Sequence, residues 1–327
     1  PSLVGSEMCI RDRDEAIALG YNLVISHHPL IFKGYKSITG KDYVERCILK
    51  AIKNDIVIYS AHTNLDNAQG GVNYKIAEKI GLKDLKVLEP KENSLMKLVT
   101  FVPAAQADMV RNALFAAGCG NIGNYDSCSY NLEGEGTFRA KEGTHPFCGT
   151  IGELHREGEV RIETILPVFK KSEVIRTLLS VHPYEEPAFD LYLLQNDWTQ
   201  AGSGIVGELE EPETELEFLK RIKKTFEVGC LRHNKLTGRE IRKVALCGGA
   251  GAFLLSQAIR SGADVFITGE IKYHDYFGHE GDILMAEIGH YESEQYTKEI
   301  FYSIIRDLFP NFALQLSKIN TNPIKYL

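Results

Sequence analysis

Short apolar runs alternate with amphipathic segments over much of this chain. The runs NLVIS (22–26), DIVIYSA (55–61) and DILMAEIG (282–289) are apolar enough to predict buried strands. Segments 41–54 and 71–82 place apolar residues at helical spacing instead, and they predict amphipathic helices. Because short strands alternate with helices, the pattern favours a largely parallel α/β core.

The pattern changes between residues 94 and 194. Predicted elements follow one another there in the order strand–helix–strand–strand–helix–strand, which is typical of a ferredoxin-like α+β unit. The strands are expected at 95–103, 125–131, 159–167 and 186–194, the helices at 104–118 and 169–182, and a glycine-rich loop at 134–149. The charged, proline-containing stretch 83–94 predicts a boundary near residue 93.

Two stretches on either side of this unit share one layout. Residues 14–27 and 256–269 align without a gap at four pairs of positions: Ala16/Ala258, Ile17/Ile259, Gly20/Gly262 and Ile25/Ile267. The repeat predicts a pseudo-symmetric α/β core of two related halves. Because residues 94–194 separate the halves, they are expected to form an insertion into a discontinuous core of residues 14–93 and 195–327.

The first thirteen residues do not fit the repeat. Their counterpart in the second copy is KVALCGGAGAFLL (243–255), which predicts a strand, a glycine turn and the start of a helix. PSLVGSEMCIRDR lacks that pattern and resembles a translated sequencing adaptor. We therefore expect residues 1–13 to be a non-native segment outside the fold, and a native N-terminus with at least one strand and a preceding helix to be missing. A divergent native N-terminus is the alternative.

Composition and charge narrow the classes of function. The 327 residues suffice for two domains, and the net charge of -7 argues against a general binder of nucleic acid or of anionic membranes. No apolar run approaches the roughly 18 residues of a membrane span, and the chain does not open on a signal peptide. The seven cysteines are scattered without a Cys-x-x-Cys motif, which favours reduced thiols and a cytoplasmic location.

Histidines and carboxylates follow the predicted strands. His27 and His28 come directly after NLVIS, and Pro29 biases the backbone there towards an extended form. Neighbouring side chains on an extended backbone point apart, so the two histidines suit one metal ion each. In open α/β sheets, ligand sites form at this end of the strands.

The two later strands are each followed by His-x-x-x-carboxylate. The pairs are His62 with Asp66 and His290 with Glu294, and spacing of four on a helix places both members on one face. A carboxylate such as Glu294 can bridge two ions. The predicted metal ligands are His27, His28, Asp66, His290 and Glu294. Imidazole and carboxylate donors suit two divalent ions per subunit, with zinc, iron, manganese and cobalt all compatible, and five ligands leave positions for water or substrate.

Four features keep alternatives open. His62 is either a ligand or a support for one, and His274 is either a proton donor lining the cleft or a surface residue. Asp66 lies in a turn-rich segment and is also compatible with a turn. The glycine turn at 247–251 predicts close packing between strand and helix, with a phosphate cradle as the weaker interpretation.

Several motifs together resemble the NIF-three-like dinuclear-metal family, also named GTP cyclohydrolase 1 type 2 homologues. They are VISHHPLIFKG, AHTNLD, HPYEEPAFD, CGGAG, ADVFITGE and GHYESE, and the resemblance runs from residue 14 to the end. It implies the long form of the family, with a three-layer α/β core, a ferredoxin-like insertion, and a toroidal homohexamer whose paired metal ions face an internal cavity. The five predicted ligands match the family's ligands, and His62 matches a histidine close to the site. The chain departs from the family in its first strand and at Glu270, where aspartate is common.

The leading hypothesis is a dinuclear-metal hydrolase that acts on a small molecule through metal-activated water. His62 and His274 are its candidates for general acid–base catalysis. The family name implies GTP as substrate, with water adding at C8 of guanine and opening the imidazole ring. The alternative is a non-catalytic metal-binding regulator or metal chaperone, and a phosphoesterase is a third hypothesis.

Overall fold

The computed structural model describes residues 2–4 and 10–327. The chain divides into two compact units. The core unit runs up to Pro90 and resumes at Gln200–Leu327, and the inserted unit is Lys91–Thr199. The boundaries expected after residues 93 and 194 differ from these by three and five residues.

The elements are numbered along the chain. The first part of the core unit contains β1 (Ser2–Val4), α1 (Ile10–Ala18), β2 (Leu23–Ser26), α2 (Tyr43–Lys53), β3 (Val57–Ser60), α3 (Thr63–Asp66), α4 (Val72–Ile80) and β4 (Lys83–Lys91). The inserted unit contains β5 (Leu95–Pro103), α5 (Ala107–Ala116), β6 (Ser129–Arg139), β7 (Leu154–Pro167), α6 (Lys171–Val181) and β8 (Phe189–Leu194). The chain then continues through β9 (Trp198–Thr214), α7 (Glu215–Thr225), β10 (Arg232–His233), β11 (Glu240–Cys247), α8 (Leu255–Arg260), β12 (Val265–Thr268), β13 (Leu284–Glu287), α9 (His290–Glu294), α10 (Thr297–Leu308) and β14 (Leu314–Leu316). Within the described ranges, no helix has the length and apolarity that a membrane span requires.

The core unit is built on two sheets. One has the strand order β14-β1-β2-β3 with every neighbouring pair parallel. The other has the order β10-β13-β12-β11-β9-β4, in which β11, β12 and β13 are parallel. Ile25 of the first sheet and Ile267 of the second belong to one buried apolar cluster, together with residues of α4, α7 and α10. The predicted α/β class is confirmed.

The two halves repeat in three dimensions as well as in sequence. The first half runs β1-α1-β2 and later β3-α3, and the second runs β11-α8-β12 and later β13-α9. In each half the three strands are adjacent and parallel in the same order. His62 comes directly before α3 and His290 begins α9, so each half places a histidine at the start of a short helix after its third strand.

The position of Ser2–Val4 contradicts the expectation that residues 1–13 lie outside the fold. Ser2–Val4 form β1, which pairs with β2 on one side and β14 on the other, and Leu3 and Val4 are fully buried. Helix α1 begins at Ile10. Three residues suffice for a buried strand when both of its edges are hydrogen-bonded, so the exclusion of the whole segment from the fold was wrong. Residues 1 and 5–9 lie outside the described residues, and the non-native origin of the segment stays a prediction.

Two further stretches are strands where the sequence predicted a domain boundary and a loop. Residues 83–91 form β4, a half-exposed strand at one end of its sheet, and charged side chains are typical of such edge strands. Residues 134–139 extend β6 rather than opening the glycine-rich loop. Its glycines lie opposite large side chains of β7, and the pairing of the two strands outweighs their low strand propensity.

The inserted unit has the predicted ferredoxin-like order. Its strands lie in the order β6-β7-β5-β8 and all neighbouring pairs are antiparallel. Helices α5 and α6 cover one face of this sheet, where Leu98 and Ile162 are fully buried against Val110 and Val174. The fold of this unit, predicted from sequence, is confirmed.

A buried carboxylate fixes the start of α2. Glu45 is 1% exposed and accepts hydrogen bonds from the Thr39 amide (2.8 Å), the Thr39 hydroxyl (2.8 Å) and the Lys41 amide (3.1 Å). The Asp42 side chain caps the helix by accepting the Glu45 amide at 2.8 Å. Burial alone would raise the pKa of Glu45, but the donors from Thr39 and Lys41 outweigh it and lower the pKa to about 2.

We expect Glu45→Gln to lower the melting temperature at pH 7, because a neutral amide oxygen accepts these three hydrogen bonds more weakly than a carboxylate does. The pKa in the folded state lies below the ordinary value of 4.5, so the carboxylate stabilises the fold above that value and loses its effect as pH falls towards about 2. Thermal unfolding at a series of pH values checks this, with the exposed Glu240→Gln as control. Equal melting temperatures at pH 7, or a gap that stays constant in acid, would contradict the assignment.

Candidate metal centre

Donor side chains from both halves of the core unit converge. His27 and His28 directly follow β2, and Asp66 ends α3. His290 and Glu294 lie one helical turn apart on α9. The structure therefore brings the five sequence-predicted ligands into one cluster, here called the donor cluster.

One oxygen of Glu294 lies at the centre of the donor cluster. Its Oε2 atom is 3.1 Å from His290 Nε2, 3.3 Å from His28 Nε2 and 3.7 Å from His27 Nε2. Asp66 Oδ1 lies 3.3 Å from His27 Nε2. Two groups of potential metal ligands result, His27–Asp66–Glu294 and His28–His290–Glu294, and Glu294 belongs to both.

Burial and donor type both fit a metal ion. His27 is fully buried and Glu294 is 4% exposed. In the described part of the chain, His27 Nε2 and Glu294 Oε2 lie at ion-pair distances from their neighbours but make no hydrogen bond of normal geometry, although such buried polar atoms are normally satisfied. Imidazole and carboxylate groups at these positions are the usual ligands of borderline divalent ions.

In two histidines of the donor cluster, the Nδ1 atom is hydrogen-bonded to another protein group. His27 Nδ1 lies 3.0 Å from the Ala61 carbonyl oxygen, to which it donates, and His290 Nδ1 lies 2.7 Å from Glu270 Oε1. Each hydrogen bond orients its imidazole ring so that Nε2 faces Glu294. In metal sites, the ring nitrogen that does not bind the metal is commonly held by a protein group in this way. Glu270 is the position where the family resemblance led us to expect aspartate, and the longer side chain reaches His290.

The cluster holds protons that a metal ion would displace. Burial alone would lower the pKa of His27, but the carboxylates of Asp66 and Glu294 outweigh it and raise the pKa to about 10. Glu294, against a smaller effect of burial, raises the pKa of His290 to about 9. Burial alone would raise the pKa of Glu294, yet His27 and His290 hold it far below its usual range. Metal binding to such a site releases protons.

The glycine turn after β11 makes room for Glu294. A Cβ atom at Gly249, whose φ is +60°, would overlap Glu294 Oε1. The Gly249 amide donates to Ser293 Oγ (2.9 Å) and the Gly248 amide to Asn73 Oδ1 (2.9 Å). Protein groups therefore use both amides, which supports the interpretation as a close-packed turn over a phosphate cradle. Ser293 and Asn73 were missed in the sequence, because nothing in their spacing distinguishes them from surface residues.

His62 lies beside the donor cluster. Its ring centroid is 4.9 Å from that of His28 and 5.1 Å from that of His27, and the three nitrogens form another possible metal-binding group. Burial and the neighbouring His28 lower the pKa of His62. Both the ligand and the support interpretations remain compatible with this position.

His274 lies in a cavity next to the cluster rather than in it. The cavity has a volume of about 550 Å³ and is lined by Ala250, Glu270, Lys272 and His274 among others. His274 belongs to the 3₁₀ turn Tyr273–Tyr276, and its ring packs against Tyr273. Glu270 connects the two places, since it lines the cavity and contacts His290.

Comparison with known proteins places the chain in a family. The sequence profile of Duf34/NIF3 (NGG1p interacting factor 3) matches residues 6–323. The chain belongs to this family. Two relatives named GTP cyclohydrolase 1 type 2 homolog, from Halalkalibacterium halodurans and Bacillus subtilis, are 43% identical over 319 residues and 38% identical over 322 residues. Each alignment covers 96% of this chain and 86% of the relative.

Two solved structures share the fold. A Bacillus cereus protein related to NIF3 is 38% identical with a TM-score of 0.84, over 100% of this chain and 89% of that one. A Staphylococcus aureus protein is 30% identical with a TM-score of 0.75, over 100% and 88% of the two chains. The family resemblance predicted from sequence is thereby confirmed, while the homohexamer and the cytoplasmic location stay predictions.

Gly249→Ala is expected to weaken divalent-metal binding by about 10-fold or more, because the new Cβ displaces the Glu294 carboxylate. Gly262→Ala is the matched control. Its φ of +72° imposes similar backbone strain, but a Cβ there meets no described atom within 4 Å. Titration of both metal-free proteins with Zn²⁺ checks the prediction, and equal affinities would show that the volume beside Glu294 is not critical.

Proposed function

We propose that this protein is a hydrolase that holds two divalent ions in the donor cluster and uses them to activate water. His27, Asp66 and Glu294 would hold one ion, and His28, His290 and Glu294 the other. The observation that carries the proposal is the buried Oε2 atom of Glu294, which lies 3.1–3.7 Å from nitrogens of three histidines. When bound, such ions supply Lewis acidity and lower the pKa of water.

The number of protein donors favours catalysis over storage. Each group has three protein donors, as in catalytic zinc sites, whereas closed structural sites have four. The adjoining cavity of about 550 Å³ is also in the usual size range for a small-molecule site. These two features favour the enzyme over the metal chaperone.

The surroundings of the cluster suit a planar, anionic substrate. Lys272, His274 and His279 line the cavity beside the carboxylates of Glu270 and Asp275, and they provide positive or hydrogen-bonding groups for phosphate. Phe32 is 68% exposed, and its ring centroid lies 5.9 Å from that of His62, which leaves an aromatic surface for a base. A nucleotide fits this description. The name of the relatives, GTP cyclohydrolase 1 type 2 homolog, supplies GTP as the specific candidate.

Two histidines would move the protons of the reaction. The lowered pKa of His62 leaves its imidazole neutral near pH 7, so it can accept a proton from the attacking water. His274, in the cavity, would donate a proton to the departing ring nitrogen. Water would add at C8 of guanine and the imidazole ring would open.

Two substitutions, His27→Ala and His274→Ala, are expected to separate metal binding from catalysis. We expect His27→Ala to lose bound metal and GTP turnover together, because it removes a ligand. His274→Ala should keep the full metal content and lose roughly 100-fold in turnover, because it removes only a proton donor. Elemental analysis and a GTP turnover assay on the same samples measure both.

The exposed His233→Ala is the control and should behave as the parent protein. Two ions per chain without turnover of GTP would refute the cyclohydrolase and favour the metal-binding regulator. A parent protein that binds no divalent ion would refute the metal centre itself.

A further inference from the structure

The inserted unit carries a second set of metal-ligand side chains. On β7, Ile162 and Leu166 point into the apolar core and are fully buried. Side chains alternate between the two faces of a strand, and the pairing of β7 with β6 runs without a break from Leu154 to Thr164. His155 and Glu157 therefore share the face that points away from the core.

A cysteine from the preceding loop completes the set. The donor atoms of Cys148, His155 and Glu157 all lie within 4.8 Å of one another, and His155 Nε2 is 2.8 Å from Glu157 Oε2. All three side chains are half-buried. This group was not predicted from the sequence, because the path of the loop brings Cys148 to His155 and no regular spacing does so.

Two neighbours fix the orientation of the His155 ring. The Phe138 ring lies 5.2 Å from it, between centroids. Gly149 covers another side so closely that a Cβ there would lie 2.8 Å from His155 Cγ, and its φ of +83° also favours glycine. Because the ring is held on a rigid strand with Nε2 next to Glu157, the arrangement is organised before a ligand binds.

The loop that supplies Cys148 is anchored at two points. The Gly152 amide donates to the Ala140 carbonyl at 2.9 Å, which closes the base of the loop. The His145 amide donates to Glu185 Oε2 at 2.8 Å. Cys148 is thus placed beside Glu157 by a structured loop.

We propose that Cys148, His155 and Glu157 form a zinc site within the inserted unit. One sulfur, one nitrogen and one oxygen donor suit Zn²⁺, whereas Ca²⁺ and Mg²⁺ prefer oxygen alone. The site is made only from residues of this unit and does not depend on the function proposed for the donor cluster.

Zinc at this site would fix one wall of a neighbouring cavity. The cavity has a volume of about 700 Å³, and its lining includes Lys141 and Phe147 of the loop and Glu159 and Arg161 of β7. Because Cys148 follows Phe147 directly, its coordination to β7 ligands would tie the loop wall to the strand wall. Bound zinc would therefore hold this cavity of the inserted unit in one shape.

Cobalt substitution tests the proposal. In the full chain carrying His27→Ala and Glu294→Ala, which remove donor-cluster ligands, we expect one Co²⁺ per chain to give a thiolate-to-cobalt charge-transfer band that Zn²⁺ abolishes. Cys148→Ser in this background should eliminate the band. Cys128→Ser, a half-buried cysteine of the same unit, should retain it. Absence of the band in the parent, or its survival in Cys148→Ser, would overturn the assignment.

A second measurement uses protein in which the donor cluster has not been changed. With an intact cluster, Cys148→Ser should bind one Zn²⁺ per chain fewer than Cys128→Ser, by elemental analysis after removal of free metal. Circular dichroism of both proteins verifies that they are folded. Equal zinc contents in two folded proteins would refute the site.

Discussion

The charge of one buried carboxylate, Glu294, dictates much of the core unit. An unpaired buried anion is costly, so the surrounding structure must supply compensating groups on all sides. His27, His28 and His290 surround its Oε2 atom, and Gly249 leaves room for its other oxygen. The glycine turn and the positions of the three histidines therefore both serve to accommodate the buried charge of Glu294.

The repeat explains how such a cluster is assembled from distant segments. Each half of the core ends its strands at the same edge and continues into a short helix that begins at or after a histidine. Neither half contains both complete groups of donors, because Glu294 belongs to the second half while His27, His28 and Asp66 belong to the first. The insertion lies in the chain between these halves, and all five donors belong to the core unit.

Periodicity and spacing were sufficient for features that depend on local pattern. The apolar runs predicted β2, β3 and β13, and the order of elements predicted the ferredoxin-like unit. The position of donors after strands predicted which of them could meet. Features that depend on tertiary contacts could not be predicted from the sequence. Residues 2–4 form the strand β1 because two neighbouring strands pair with them. The charged side chains of β4 are tolerated because this strand lies at the edge of its sheet. Cys148 approaches His155 through a loop whose path no sequence pattern indicates.

The pairing of β1 with β14 also has a consequence for how the chain folds. Ser2 pairs with Leu314, so this contact joins segments from opposite ends of the described sequence, and the whole inserted unit lies between them in the chain. Loop-closure entropy delays contacts of such high sequence separation, and during synthesis β1 has no second neighbour until the final helix has left the ribosome. Completion of the first sheet is therefore expected to be a late folding event, and the inserted unit, whose contacts are local, can fold before it.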